Sequence, residues 1–170
     1  MAKSSRSKSS QADKYFLNLA GEFAVASELN RRKMLATVSY GNSKSADIFV
    51  IAPDTSRVVC VEVKTTARKR WVVGDRASQA QASVRELVWV LVLLPQDNAS
   101  MAAPQFFVLS QEDIKRKTDS RNREYNQKYM ARHGKNFIGR GVDNLELKDV
   151  QEFEGKWEKV ANALTSSREA

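Results

Sequence analysis

The sequence predicts an α/β fold: a mixed central sheet of about five strands flanked by helices, in the order α-β-β-β-α-β, followed by a C-terminal helical extension. Three observations carry that reading. Residues 58–65 (Val-Val-Cys-Val-Glu-Val-Lys-Thr) are β-branched and apolar enough to sit in the middle of a sheet. Residues 87–94 form an eight-residue apolar run ended by Pro95, the length of a fully buried strand. A segment of helical period, residues 13–33, precedes the first strand.

Residues 1–12 are polar, Ser-rich and basic, with nothing to bury, and are expected to be a disordered tail. From Asp13, read as an N-cap, Phe16, Leu19, Ala20, Phe23, Ala24 and Leu29 recur at helical spacing up to Arg31-Arg32-Lys33, whose cations suit a helix C-terminus. Residues 35–40 read as a strand, 41–44 as a turn, and 47–51 as a second strand opened by Asp47. Pro53-Asp54-Thr55-Ser56 then reverses the chain into the third strand, which completes a meander. After a basic turn, Arg68-Lys69-Arg70, residues 75–86 read as a short helix, and residues 87–94 and 105–110 as strands. Ser110 ahead of Gln111-Glu112-Asp113 starts a helix, and Val150, Phe153, Trp157, Val160 and Leu164 predict another over 147–164. Residues 118–144 are polar and contain glycine, and no definite element is assigned to them. The expected organisation is one domain over 13–170, with a core at 15–110 and an extension at 111–170.

The 170 residues, 42% of them hydrophobic, suit one domain with a real core. A net charge of +8 and a pI near 9.7 point to an anionic partner, nucleic acid first. Cys60 is the only cysteine, so an intrachain disulfide is excluded; a reduced, buried thiol fits the cytoplasm. The longest apolar run is far short of the roughly 20 residues of a membrane span, and no apolar signal core is seen. A single histidine, His133, excludes a multi-histidine metal cage. The same lack, without any Gly-x-Ser-x-Gly elbow, excludes a serine hydrolase.

Period-two alternation puts Cys60, Glu62 and Lys64 on one face of the third strand and Val59, Val61 and Val63 on the other. A carboxylate and an ammonium in a central strand cost several kcal/mol each in desolvation unless paired or metal-bound. Function is the natural reason to keep them there.

With Asp47 on the adjoining strand, residues 15–110 resemble the PD-(D/E)XK nuclease superfamily, whose branches include restriction-endonuclease-like and Holliday-junction-resolvase-like enzymes. The resemblance rests on Gly21-Glu22, Ser45-Ala46-Asp47-Ile48 and Val61-Glu62-Val63-Lys64-Thr65, with Ala46 in place of the nominal proline. It implies a restriction-endonuclease-like three-layer core and a Mg²⁺-dependent endonuclease, Mn²⁺ serving as well, that hydrolyses phosphodiester bonds of DNA. Asp47 and Glu62 would bind the metal with the carbonyl of Val63, and Lys64 would orient the attacking water. Glu22 would be an acid reaching the metal through water or completing a second site, and Gln79 an accessory glutamine near it. Thr65, closing the strand, could donate to phosphate. The chemistry agrees: Mg²⁺ takes oxygen ligands and keeps several waters, so two carboxylates, a carbonyl and a phosphate suffice.

Residues 111–140 hold nine Lys or Arg against four acids, net +5, a surface suited to phosphate. The candidate nucleic-acid contacts are Lys69, Arg70, Arg121, Arg123, Lys128, Arg132 and Lys135, with Tyr125 and Tyr129 one turn apart as possible stacking partners. Double-stranded or branched DNA is the expected partner. Cutting two strands needs two sites, hence an expected homodimer. Two rival readings are a non-catalytic nucleic-acid-binding module on the same fold and a structural protein in which Glu62 and Lys64 form an internal salt bridge.

Overall fold

Ser10 starts the first helix. Its hydroxyl accepts from the N–H of Asp13 at 3.0 Å, and Asp13 Oδ2 accepts from the N–H of Ser10 at 2.8 Å, a reciprocal capping box opening α1 (Gln11–Arg31). Asp13, expected as the N-cap, is thus the third helical residue. Residues 10–12, expected in the tail, form the cap and first turn. The computed structural model describes residues 10–39, 46–53, 57–74, 77, 86–95, 102–139 and 144–165; the rest of the expected tail, residues 1–9, lies outside them.

Strands β1 (Leu35–Val38), β2 (Ile48–Ile51) and β3 (Val58–Thr66) form the expected antiparallel meander. β5 (Leu87–Leu93) adds to β3 in parallel and β6 (Gln105–Ser110) to β5 antiparallel, giving one mixed sheet of order β1-β2-β3-β5-β6 with β3 at its centre. Alternation along β3 sorts its side chains as the sequence predicts. Val59, Val61 and Val63 join Ile48, Val50, Val88, Val90 and Val92 beneath Val25 and Leu29 of α1 and Val160 of α4 (Glu158–Thr165). Cys60 joins Trp89, Leu91, Phe107 and Leu109 on the opposite face, against Ile114 of α2 (Gln111–His133). The result is three layers with the sheet in the middle.

Three features depart from the sequence reading. Arg70 is not in a turn: β4 (Arg70–Val72) pairs antiparallel with β7 (Asn144–Glu146) in a second, two-stranded sheet that buries Trp71 and Leu145 in the same core. α2 runs 23 residues to a left-handed cap at Gly134, through the stretch given no definite element. The single helix expected over 147–164 is interrupted. α3 (Leu147–Val150) passes into a 3-10 turn at Gln151–Phe153, and Gly155, at φ 66°, donates its N–H to the Phe106 carbonyl at 2.8 Å before α4 begins. The helix expected over 75–86 lies outside the described residues, apart from Ala77 and Glu86.

α1 lies very close to the far end of β3. A Cβ built on Gly21 would meet Thr65 Oγ1 at 1.8 Å and Thr65 Cβ and Cγ2 at 2.9 Å, so only glycine allows this approach. Gly21→Ala is expected to destabilise the fold by about 1–3 kcal/mol in chemical denaturation. Adding Thr65→Ala removes two of the three clashing atoms, so the double variant should be less destabilised than the two single effects added together.

Candidate active site

β3 outruns β2. The last β2–β3 pair is Ile48 with Val61, and beyond it β3 keeps a ladder partner only on β5. Asp47 fills part of that notch. Its N–H donates to the Val61 carbonyl at 3.1 Å, and its Oδ2 accepts the N–H of Val63 at 2.7 Å, where a ladder carbonyl would otherwise stand. The N–H and C=O of one strand residue point to the same edge, so the Val63 carbonyl faces the notch as well. The Asp47 N–H addresses Val61 and not Glu62, so the register of the β2–β3 pairs does not continue past Ile48.

Glu62 is buried at 7% exposure, and Lys64 Nζ donates to its Oε1 at 2.6 Å while standing 6.0 Å from the Trp89 ring centroid. Glu22 reaches the same place from α1. Burial holds its carboxyl above the usual carboxylate range; Asp47 pushes it further up, Lys64 opposes this, and Glu62 adds to the rise. Three acids and one lysine therefore share one electrostatic environment. The surrounding groove, about 410 Å³, is walled by Glu22, Asp47, Val63, Lys64 and Thr65, with Lys14, Asn18, Thr66 and Arg70 also lining it. Glu62 is not part of that wall and is joined to it through Lys64.

Glu22, Asp47, Glu62, Val63 and Lys64 are thus brought together. Thr65 lines the groove, but its hydroxyl oxygen is buried against Gly21 with no hydrogen-bond partner among the described residues, so it is not presented to a phosphate. Arg70 stands at the groove, its Nε donating to Asn144 Oδ1 at 3.0 Å, and Lys69 is exposed in the bend before β4. Arg121 is taken up elsewhere, paired with Glu146 at 3.1 Å and Asp149 at 3.6 Å and only 17% exposed. It is removed from the phosphate-contacting set. Arg123, Lys128, Arg132 and Lys135 are exposed along the distal half of α2 and the segment after it, away from the groove. Tyr125 and Tyr129 pack on Phe137 at 5.1 and 5.3 Å between centroids. Gln79 lies outside the described residues.

Lys14, Asn18 and Asn144 escaped the sequence reading. The first two had a signal, since 14, 18 and 22 recur at four-residue spacing and share one helix face. Asn144 had none, because its role comes from a pairing 74 residues away.

Among the described residues no three His, Cys, Asp or Glu side chains converge closely enough to hold a metal ion alone. The groups here that could hold a hard dication, with water completing its shell, are Asp47, Glu62 and the Val63 carbonyl. The repulsion from Asp47 and Glu62, which adds to the larger effect of burial on Glu22, is what such an ion would relieve.

The five-stranded mixed sheet between helices agrees with the architecture that the resemblance implies. The acid ahead of β2 and the acid-x-lysine of β3 stand at its central strands. No protein-family model and no curated protein matches the chain. Among solved structures it is similar to Hjc of Archaeoglobus fulgidus, a Holliday junction resolvase, at 13% identity over 85% of this chain and 95% of that one, with a TM-score of 0.49. Among the described residues no helix is long and apolar enough to cross a membrane.

An acid whose folded pKa is raised costs nothing while both states are protonated and becomes destabilising as pH rises through the carboxylate range. Glu22→Gln is therefore expected to raise the melting temperature at neutral pH without divalent ions, with the gain vanishing toward pH 3. A gain that persists at low pH would assign the effect to packing instead.

Proposed function

We propose that this chain is a divalent-metal-dependent endonuclease acting on DNA, double-stranded or branched, in the cytoplasm. The observation that carries the reading is the Asp47 carboxylate bound to the Val63 N–H beside the buried Glu62 and its half-buried partner Lys64, which concentrates acids and one ammonium at the end of the central strand. When bound, Mg²⁺ or Mn²⁺ would lower the pKa of a coordinated water and offset charge on the phosphoryl oxygens. Asp47, Glu62 and the Val63 carbonyl would hold it. Lys64, on the groove wall, would orient the attacking water and donate to a phosphate oxygen. Lys14, Asn18 and Arg70 line the same groove and are suited to phosphates flanking the scissile one. The exposed Arg123, Lys128, Arg132 and Lys135 would grip the backbone further out.

The Glu62–Lys64 contact itself favours a second reading, in which the pair is structural and the fold binds nucleic acid without cutting it. Incubation with supercoiled, linear, single-stranded and branched DNA in Mg²⁺ or Mn²⁺ separates the two. The parent should cleave at least one substrate, and Glu62→Ala and Lys64→Ala should each lower the rate by at least about 100-fold. Cleavage that survives both changes sinks the proposed site, and binding without cleavage on every substrate supports the second reading. In calorimetric titration with Mn²⁺, Asp47→Asn should weaken the affinity.

Replacing Arg123, Lys128, Arg132 and Lys135 with alanine should lower DNA affinity without regard to sequence. The slope of log K against log salt should fall by about 0.9 for each duplex phosphate that is no longer neutralised. An unchanged slope would remove the distal half of α2 from the binding surface.

A further inference from the structure

α1 carries apolar side chains on two opposite faces. The inner one buries Val25 and Leu29 against the sheet. The outer one presents Phe16, Ala20 and Phe23 and ends on the small Ser27, all exposed, with Phe16 at 65% and Phe23 at 45%. Steps of four, three and four residues keep these positions on one stripe, and at about 100° per residue the stripe points directly away from Val25. Large apolar residues on both faces mark a helix covered on both, and alternating steps of three and four residues make the seam along which helices pair.

The stripe is complementary to itself. In an antiparallel pair, with a twofold axis passing between positions 21 and 22, Phe16 of one copy faces Ser27 of the other and Ala20 faces Phe23. Every ring is then set against a small side chain. In a parallel pair the rings would face rings and the small side chains would face each other, alternating crowding with voids. The serine fits the same scheme, because it lies at the end of the seam, where its hydroxyl stays in reach of water. The charges agree with the antiparallel arrangement. Asp13 in the exposed first turn of one helix comes beside Arg31 in the last turn of the other, and the Arg31 side chain is 73% exposed. The two helix dipoles oppose each other in the same arrangement.

We infer that this stripe is the seat of a second copy of the chain, packed α1 against α1 in an isologous interface. A helix of 21 residues, about 31 Å long, supplies only part of the roughly 800 Å² per partner of a standard interface. Tyr15, edge-on to Phe16 at 5.6 Å and 62% exposed, enlarges the apolar surface. The helix that pairs outward lines the groove inward through Lys14, Asn18 and Glu22, so association places one groove on either side of the helix pair. The interface does not depend on the nuclease reading, and its test involves no cleavage.

Sedimentation equilibrium of the full chain should give twice the 19.1 kDa chain mass. Ala20→Glu should return a monomer with an unchanged circular dichroism spectrum, since that position faces solvent in the single chain. Orientation is read by cross-linking with a short bismaleimide, Cys60 being buried. Ala20→Cys should link to itself across the axis, whereas Ala12→Cys should not, because two antiparallel copies hold that position about 28 Å apart along the helices. A mass of one chain at every concentration, a dimer indifferent to Ala20→Glu, or equal linking at positions 12 and 20 overturns the proposal.

Discussion

The hydrogen bond from the Val63 N–H to Asp47 Oδ2 is the contact on which the candidate site depends. A central strand ordinarily spends its backbone groups on ladders along both edges, and β3 does so toward β5 along its whole upper half. Toward β2 the ladder stops at Val61, and a side-chain carboxylate takes over one residue pair further on. One bond thereby satisfies a buried donor, fixes an acid beside Glu62 and leaves a carbonyl facing the same notch. The close approach of α1 completes the arrangement, because Gly21 lets the helix settle on Thr65 and bring Glu22 within electrostatic reach of both acids.

Much of this was legible in the sequence because it is local. The period of two along β3 sorted its valines from Glu62 and Lys64, and the Ser110–Asp113 box announced the start of α2. What was not legible depends on distance or on solvent. β4 and β7 are short and undistinguished by composition, and their pairing joins segments more than seventy residues apart. The outer half of α2 buries nothing after Thr118, so its sequence carries no apolar period from which a helix could be read. Residues 147–164 do carry a period, but Gly155 takes up a left-handed conformation and hands its N–H to Phe106, which breaks the helix and swings Trp157 onto the Phe106 ring at 5.4 Å.

Charge counting misled in one respect. The net +5 of residues 111–140 suggested one continuous phosphate-binding tract, whereas its first half is largely internal wiring. Lys117 pairs with Glu152 at 2.6 Å, and Arg121 with Glu146 and Asp149, tying α2 to the segment between β7 and α4. The more exposed Lys117–Glu152 pair contributes about 0–1 kcal/mol, so its effect lies more in register than in stability. Arg123, Lys128, Arg132 and Lys135, further along the same tract, are exposed and keep their charge available to a polyanion.

The pairing of Glu62 with Lys64 is the observation a purely structural explanation would use, and its surroundings weigh against that use. A buried ion pair kept for stability alone has little to recommend it, since apolar replacements of similar volume are often as stable or more so. Such a pair would also be self-neutralising, and this one is not. Burial raises the Glu22 carboxyl, and Asp47 and Glu62 push it further up against Lys64, so the inner site holds three carboxyl groups against one ammonium. Lys14 and Arg70 bring positive charge into the same groove. An inner concentration of acids beside basic side chains is disfavoured as a scaffold; Asp47, Glu62 and the Val63 carbonyl would hold a dication, which would supply the charge stabilisation that the proposed hydrolysis needs.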